Sequence, residues 1–111
     1  MALPKPPQAY QAFIERFPKI GAAWDLLTEG GQEGPLDEKT IRLVKFAIAA
    51  GAMREGAVRS AARKALAADL TRAELEQVIA LAAPTVGLPS AVAVHTWIQD
   101  IRPADETRPQ A

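Results

Sequence analysis

Apolar side chains recur along the chain at the three- and four-residue spacing of amphipathic helices. The first stripe consists of Tyr10, Phe13, Ile14 and Phe17. Pro7 suits a first helical turn, and Pro18 ends this helix and can start another. The second stripe consists of Ile20, Ala23, Trp24 and Leu27. The spacing therefore predicts two helices, followed by a loop made of Gly30, Gly31, Gly34 and Pro35.

Two further helices are predicted between residues 37 and 68. Asp37 is a favourable N-cap for a helix that runs to about Ala50. Apolar residues cover most of its circumference, which predicts deep burial: Ile41, Leu43, Val44, Phe46, Ala47 and Ile48. Gly51 is expected to end this helix. The next one is expected to run from about Arg54 to Ala68.

The clearest local signal is a capping box, Thr71-x-x-Glu74, ahead of another apolar stripe. We expect a short turn from Pro84 to Pro89, then a last helix from about Pro89 to Ile101. No stretch alternates as a strand does. The pattern predicts an all-α bundle of about six helices, in a single domain over 1–111. Residues 1–6 are expected to form an N-terminal arm and residues 102–111 a flexible tail.

Composition favours self-association. Hydrophobic residues make up 49% of the 111 residues, yet aromatic residues make up only 5%. Much of the apolar content is alanine, so each helix buries little area. A short chain with such helices commonly completes its core by oligomerisation.

Thirteen basic and thirteen acidic residues cancel, so charge gives no case for nucleic acid or an anionic membrane as a partner. The first ten residues lack the apolar segment of a signal peptide. The longest apolar run, Phe46 to Met53, is far short of a membrane span. We therefore expect a cytoplasmic protein. The absence of cysteine excludes disulfides, thiolate metal sites and cysteine nucleophiles within these residues.

The placement of helices and turns resembles the carboxymuconolactone decarboxylase and alkyl hydroperoxidase D-like family. The segments that carry this resemblance are Leu36–Val44, Arg54–Leu66, Leu70–Val78 and Ala83–Pro89. The likeness extends from about Phe17 to Asp100. It implies the helical bundle of that family and a homotrimer or homohexamer, in keeping with the closed symmetry of most oligomers.

Hydroperoxidases of this family carry a Cys-x-x-Cys-x-x-x-His motif and a relay glutamate on the preceding helix. In this sequence the motif positions hold Arg54, Ala57 and Ala61, and the relay position holds Arg42. The resemblance therefore does not extend to thiol peroxidase activity, which needs a reactive thiolate. The decarboxylase branch implies cofactor-free proton transfer on an anionic lactone, but its catalytic set has no match here. Fold alone does not fix a function.

The motif positions still indicate a candidate ligand site. Arg54, Ala57 and Ala61 share one helix face at roughly 100° per residue. The two alanines would leave room for a ligand whose carboxylate is bound by Arg54 through a bidentate hydrogen bond. Alternatively, Arg54 lies in the first turn and extends to water.

Two other arginines are candidates for the same site. Arg59 lies in a charged stripe with Glu55 and Arg63, which is either a solvated face or a basic wall around an anion. Arg42 shares the polar side of its helix with Lys45. This polar side is either ordinary protein surface or part of the site. In the second case, Arg42 occupies the family's relay-glutamate position and binds an anion.

His95 is the only histidine and the side chain whose unperturbed pKa lies near neutrality. It is a candidate for moving a proton, or a boundary residue of the last helix. No metal site and no cofactor are expected, because one histidine without cysteine leaves only carboxylates as further ligands.

Two hypotheses follow. The first is a cofactor-free enzyme or binding protein for a small anionic metabolite, held by Arg42, Arg54 and Arg59. The second is a non-catalytic oligomer whose site has decayed or been repurposed. The first expects Arg54→Ala and Arg59→Ala to abolish ligand binding, and the second expects no cavity near Ala57 and Ala61.

Overall fold

Helices account for most of the described chain. The computed structural model describes residues 8–102 and contains six α-helices and no strand in that range. The helices are α1 (Gln8–Arg16), α2 (Pro18–Gly30), α3 (Glu38–Ala52), α4 (Glu55–Ala67), α5 (Arg72–Val86) and α6 (Leu88–Trp97). The predicted all-α bundle of about six helices is confirmed. The predicted arm and all of the predicted tail beyond residue 102 lie outside the described residues.

Both predicted N-caps are present. The Asp37 carboxylate accepts a hydrogen bond from the Thr40 amide at 2.8 Å, and hydrogen bonds from the side chain and backbone of Thr40 lower the pKa of Asp37. At the start of α5, the Glu74 amide donates to Thr71 Oγ1 at 3.0 Å and the Thr71 amide donates to Glu74 Oε1 at 2.8 Å. These bonds satisfy amides that have no partner inside the helix.

The predicted end of α3 at Gly51 is wrong. The helix continues to Ala52, and Met53 ends it with a left-handed φ of 57°. The Met53 amide donates to the Ala50 carbonyl at 3.1 Å, so the turn gains a hydrogen bond that offsets part of the strain of a non-glycine residue in this region.

The predicted turn from Pro84 to Pro89 is also wrong. Helix α5 continues through Pro84 to Val86, because Pro84 falls in the last turn, where a missing amide removes a single helical bond. The break comes at Gly87, whose φ of 95° favours glycine. Helix α6 then ends at Trp97 rather than Ile101.

The core lies among α3, α4, α5 and α6. Its fully buried large side chains are Phe46, Val58, Leu75, Val94 and Ile98. The chain after α6 is held against α5 by Arg72, whose guanidinium donates to the backbone carbonyls of Ile98, at 2.8 Å, and of Ile101. Four of the buried core positions on α3 and α4 are alanines: Ala49, Ala50, Ala62 and Ala65.

Much apolar surface stays outside this core. Helices α1 and α2 contain no buried residue, and Trp24 and Leu27 are 57% and 69% exposed. The predicted deep burial of α3 is only partly right. Phe46 is buried, but Val44 and Ile48 are exposed, because each lines an open cavity rather than the packed core. None of the six helices between residues 8 and 102 combines the length and hydropathy needed to cross a membrane.

The capping box gives a direct test of the α5 start. We expect Thr71→Ala to lower the free energy of unfolding by about 1 kcal/mol, because the Glu74 amide loses its acceptor. Thr71→Ser keeps the hydroxyl and should stay within about 0.5 kcal/mol of the parent. Urea unfolding followed by circular dichroism measures both. Equal effects of the two substitutions would contradict this role of the hydroxyl.

Candidate functional site

A groove runs along the faces of α3 and α4. The two helices pack side by side and are joined by only Met53 and Arg54. Residues at helical spacing on each face line the groove, and α2 contributes one side chain from above. The cavity has a volume of about 420 Å³ and is lined by Trp24, Arg42, Lys45, Ile48, Ala49, Ala57, Ser60, Ala61 and Lys64.

Three cationic side chains line this groove. Arg42 and Lys45 come from the first half of α3, and Lys64 comes from the last turn of α4. The Arg42 Nε donates to Glu38 Oε2 at 2.7 Å, and the Glu38 side chain is 55% exposed. Among residues 8–102, no acidic side chain lines the groove itself. Lys45 and Lys64 also add two positive charges, and the described part of the chain shows no ion pair for either of them.

The pKa of Lys64 reflects this environment. Lys64 is an exposed residue, but partial desolvation of its amine, together with the positive charges nearby, lowers its pKa from the ordinary value. Those charges are on Arg42, Lys45 and Arg63. Desolvation and like charges both disfavour the protonated amine. The groove therefore holds a cation at some cost in electrostatic free energy.

The rest of the groove is apolar and has small side chains on α4. Ala57 and Ala61 leave open space opposite Ile48 and Ala49. Trp24 reaches this space from α2 and is 57% exposed. The charged residues come from the start of α3 and the end of α4, whereas the apolar ones lie nearer the α3–α4 connection. The groove is therefore amphipathic along its length.

The structure brings together three of the candidates named from the sequence. Arg42, Ala57 and Ala61 line one cavity. Lys64 was not singled out from the sequence, although it lies one heptad after Ala57, a spacing that returns to the same helix face. Trp24 was also missed, and no spacing could have found it, since it belongs to a different helix.

Arg54 and Arg59 do not line the groove. Arg54 is the exposed residue just before α4. Arg59 Nε donates to Glu55 Oε2 at 3.1 Å, and Arg59 NH1 donates to Asp100 Oδ1 at 3.1 Å. These bonds raise the pKa of Arg59, with Glu55 the larger cause, and the hydrogen bond from Arg59 lowers the pKa of Asp100. Arg59 therefore connects α4 to the segment after α6.

His95 lies in α6, away from the groove lining. Its Nε2 is 2.9 Å from Glu76 Oε2 on α5, and the amide nitrogen of Gln99 is 3.0 Å from the same ring nitrogen. This places His95 in a polar contact between α5 and α6. Among residues 8–102, no three histidine, aspartate or glutamate side chains converge as metal ligands would.

Comparisons with known proteins give one match. A family model described as "Carboxymuconolactone decarboxylase family" matches residues 18–100, which include α2 to α6 and every residue that lines the groove. No curated protein and no solved structure matches the chain.

The positive charge of Lys64 should cost stability in the folded protein. Because the pKa of Lys64 is lowered on folding, the unfolded chain binds this proton more tightly, and stability rises as pH increases toward 10.5, the ordinary value. We expect Lys64→Gln to raise the melting temperature at pH 7, and the gain to shrink in high salt and near pH 10.5. Differential scanning calorimetry measures this. Lys39→Gln on the exposed side of α3 is the matched control, and a destabilised Lys64→Gln protein would contradict the argument.

Proposed function

The chain belongs to the carboxymuconolactone decarboxylase family, and from this premise we propose that it binds a small carboxylate metabolite in the α3–α4 groove. The protein acts without thiol peroxidase chemistry, since the sequence has no cysteine. In this proposal, a reaction at the site proceeds without a cofactor and includes acid–base steps. The observation that carries the proposal is the convergence of Lys45, Lys64 and Arg42 on one groove, whose lining within residues 8–102 includes no carboxylate.

Like charges held together without counter-charges are typical of anion-binding sites. A ligand carboxylate would accept hydrogen bonds from these side chains and remove their mutual repulsion. The Arg42 guanidinium keeps donors that its bond to Glu38 does not use. Binding of an anion therefore offsets the electrostatic cost of holding these cations close together.

The apolar half of the groove restricts the ligand further. A volume of about 420 Å³ is in the range of small-molecule sites. Ile48, Ala57 and Trp24 favour an apolar body, such as a planar ring, next to the charged group. The ligand class that fits both halves is a compact organic acid with its carboxylate directed toward Arg42 and Lys45.

The open cavity at Ala57 and Ala61 counts against a site that has been filled or lost. One observation nevertheless favours the second hypothesis as an alternative: the groove lining, as described, includes no histidine and no carboxylate. His95, the acid–base candidate from the sequence, contacts Glu76 instead. A non-catalytic member of the family would bind its ligand and release it unchanged.

We also propose that the chain forms a closed homo-oligomer, a trimer or a hexamer as the family resemblance implies. Support comes from α2, where Ile20, Trp24 and Leu27 are exposed at helical spacing. A contiguous apolar surface of this kind is typical of a protein–protein interface. A further copy of the chain would cover it.

Binding of benzoate tests the site. We expect Arg42→Gln and Lys45→Gln each to raise its dissociation constant about tenfold, because a charge-assisted hydrogen bond is lost. The readout is the fluorescence of Trp24 in a Trp97→Phe background. Lys39→Gln is the control and should bind as the parent does.

The same assay separates the two sets of arginines. The groove geometry predicts that the Arg54→Ala and Arg59→Ala proteins bind benzoate as the parent does. The sequence-based assignment predicts that both proteins lose benzoate binding. If neither Arg42→Gln nor Lys45→Gln weakens binding, the proposed site is wrong. Chemical turnover of an organic acid, followed by nuclear magnetic resonance, distinguishes the enzyme from the non-catalytic alternative.

Self-association is tested by native mass spectrometry. We expect a closed oligomer for the parent and smaller species for Leu27→Asp, because a charge would be buried in the interface. Leu36→Asp alters an exposed leucine in the loop before α3 and should leave the number of subunits in the oligomer unchanged. A monomeric parent protein would overturn the proposal.

A further inference from the structure

Lys64 has the surroundings of a reactive amine. It lines the groove from the last turn of α4, and Ser60 lies one helical turn before it on the same face. Arg42 and Lys45 face it from α3, and Arg63 is its neighbour on α4. Within residues 8–102, no carboxylate lines the groove to hold the amine in its protonated form.

We propose that Lys64 is a nucleophile that forms an imine with an oxo acid bound in the groove. This inference rests on the proposed function, because it needs the carboxylate of the ligand to be held there. The inference narrows the ligand class to organic acids that carry a ketone or aldehyde group. It also assigns Lys64 a covalent bond to that group. An amine close to other cations is a recognised way to obtain a lysine nucleophile near neutral pH.

The chemical step balances within the site. The neutral amine of Lys64 attacks the carbonyl carbon, so a C–N bond forms and the electron pair of the C=O π bond moves to oxygen. The nitrogen then loses one proton and the oxygen takes up one, which gives a neutral carbinolamine. The resulting carbinolamine loses its hydroxyl group, after protonation, as water. The nitrogen lone pair then forms the C=N bond. Amine and ketone are thus converted to imine and water, with no oxidant or reductant.

The neighbouring residues have separate roles in this step. Arg42 and Lys45 hold the carboxylate, which places the carbonyl carbon near the amine and raises their effective concentration. The Ser60 hydroxyl can pass a proton to the carbinolamine oxygen. The ligand's carboxylate also offsets the positive charge of the protonated imine. Without it, the nearby cations would repel that charge.

Reductive trapping tests the proposal. The full-length protein is incubated with phenylpyruvate and sodium cyanoborohydride at pH 7, and the modified lysines are quantified by peptide mass spectrometry. We expect Lys64 to be modified at least about tenfold faster than Lys39, in line with a lowered pKa and a bound carboxylate. Phenylacetone, which lacks the carboxylate, should not show this preference. Arg42→Gln should reduce it.

Lys64→Arg keeps the positive charge but removes the primary amine, and the fast modification by phenylpyruvate should disappear from the protein. The ratio of Lys64 to Lys39 in the parent protein needs no variant, so a poorly folded Lys64→Arg protein does not affect the test. If Lys64 reacts no faster than Lys39 although benzoate binds, the imine proposal is overturned and the anion site stands. If benzoate fails to bind as well, the proposed function fails with it.

Discussion

The close pairing of α3 and α4 is the constraint on which the rest of the structure depends. Only two residues connect these helices, so they must lie side by side, and small residues such as Ala49, Ala62 and Ala65 let them approach closely. Phe46 and Val58 are then fully buried beside them. The same use of alanine on the outer face, at Ala57 and Ala61, opens the groove. One compositional preference thus produces both the tight contact and the cavity.

The apolar residues of the chain lie partly in this core and partly on its exposed surface. Leucines and isoleucines of α2 and the outer side of α3 stay exposed, whereas alanines occupy much of the interior. A single copy therefore buries little area for each helix, and exposed apolar surface of this extent favours association. Trp24 belongs to both features, since it lies on the exposed stripe of α2 and also reaches the groove. The proposed ligand site and the proposed oligomer interface therefore share this side chain.

Local signals in the sequence predicted the helices well, while contacts between helices were only partly predictable. The caps at Asp37 and Thr71 depend on residues three positions apart, so spacing alone was sufficient. The helix ends predicted from Gly51 and Pro84 were wrong because these residues lie in the last turns of α3 and α5. A helix breaker in a last turn removes few helical hydrogen bonds and so costs little stability. For the site, helix periodicity put Ala57 and Ala61 on one face of α4. Only the family resemblance predicted that Arg42, on another helix, lies near them. Periodicity could not show that Arg59 pairs with Asp100, since that contact joins positions far apart in the chain.

The hydrogen bonds of Arg72 have a consequence for the order in which the protein folds. This side chain stands at the first turn of α5, yet its acceptors are the carbonyls of Ile98 and Ile101, 26 and 29 positions later. On a ribosome, α3 and α4 can pair as soon as they have emerged, because their contacts are local. Arg72 has to wait for the segment after α6. Nascent chains can therefore pack α5 on α3 before the two hydrogen bonds of Arg72 exist, and the bonds form only after Ile98 and Ile101 have left the ribosome.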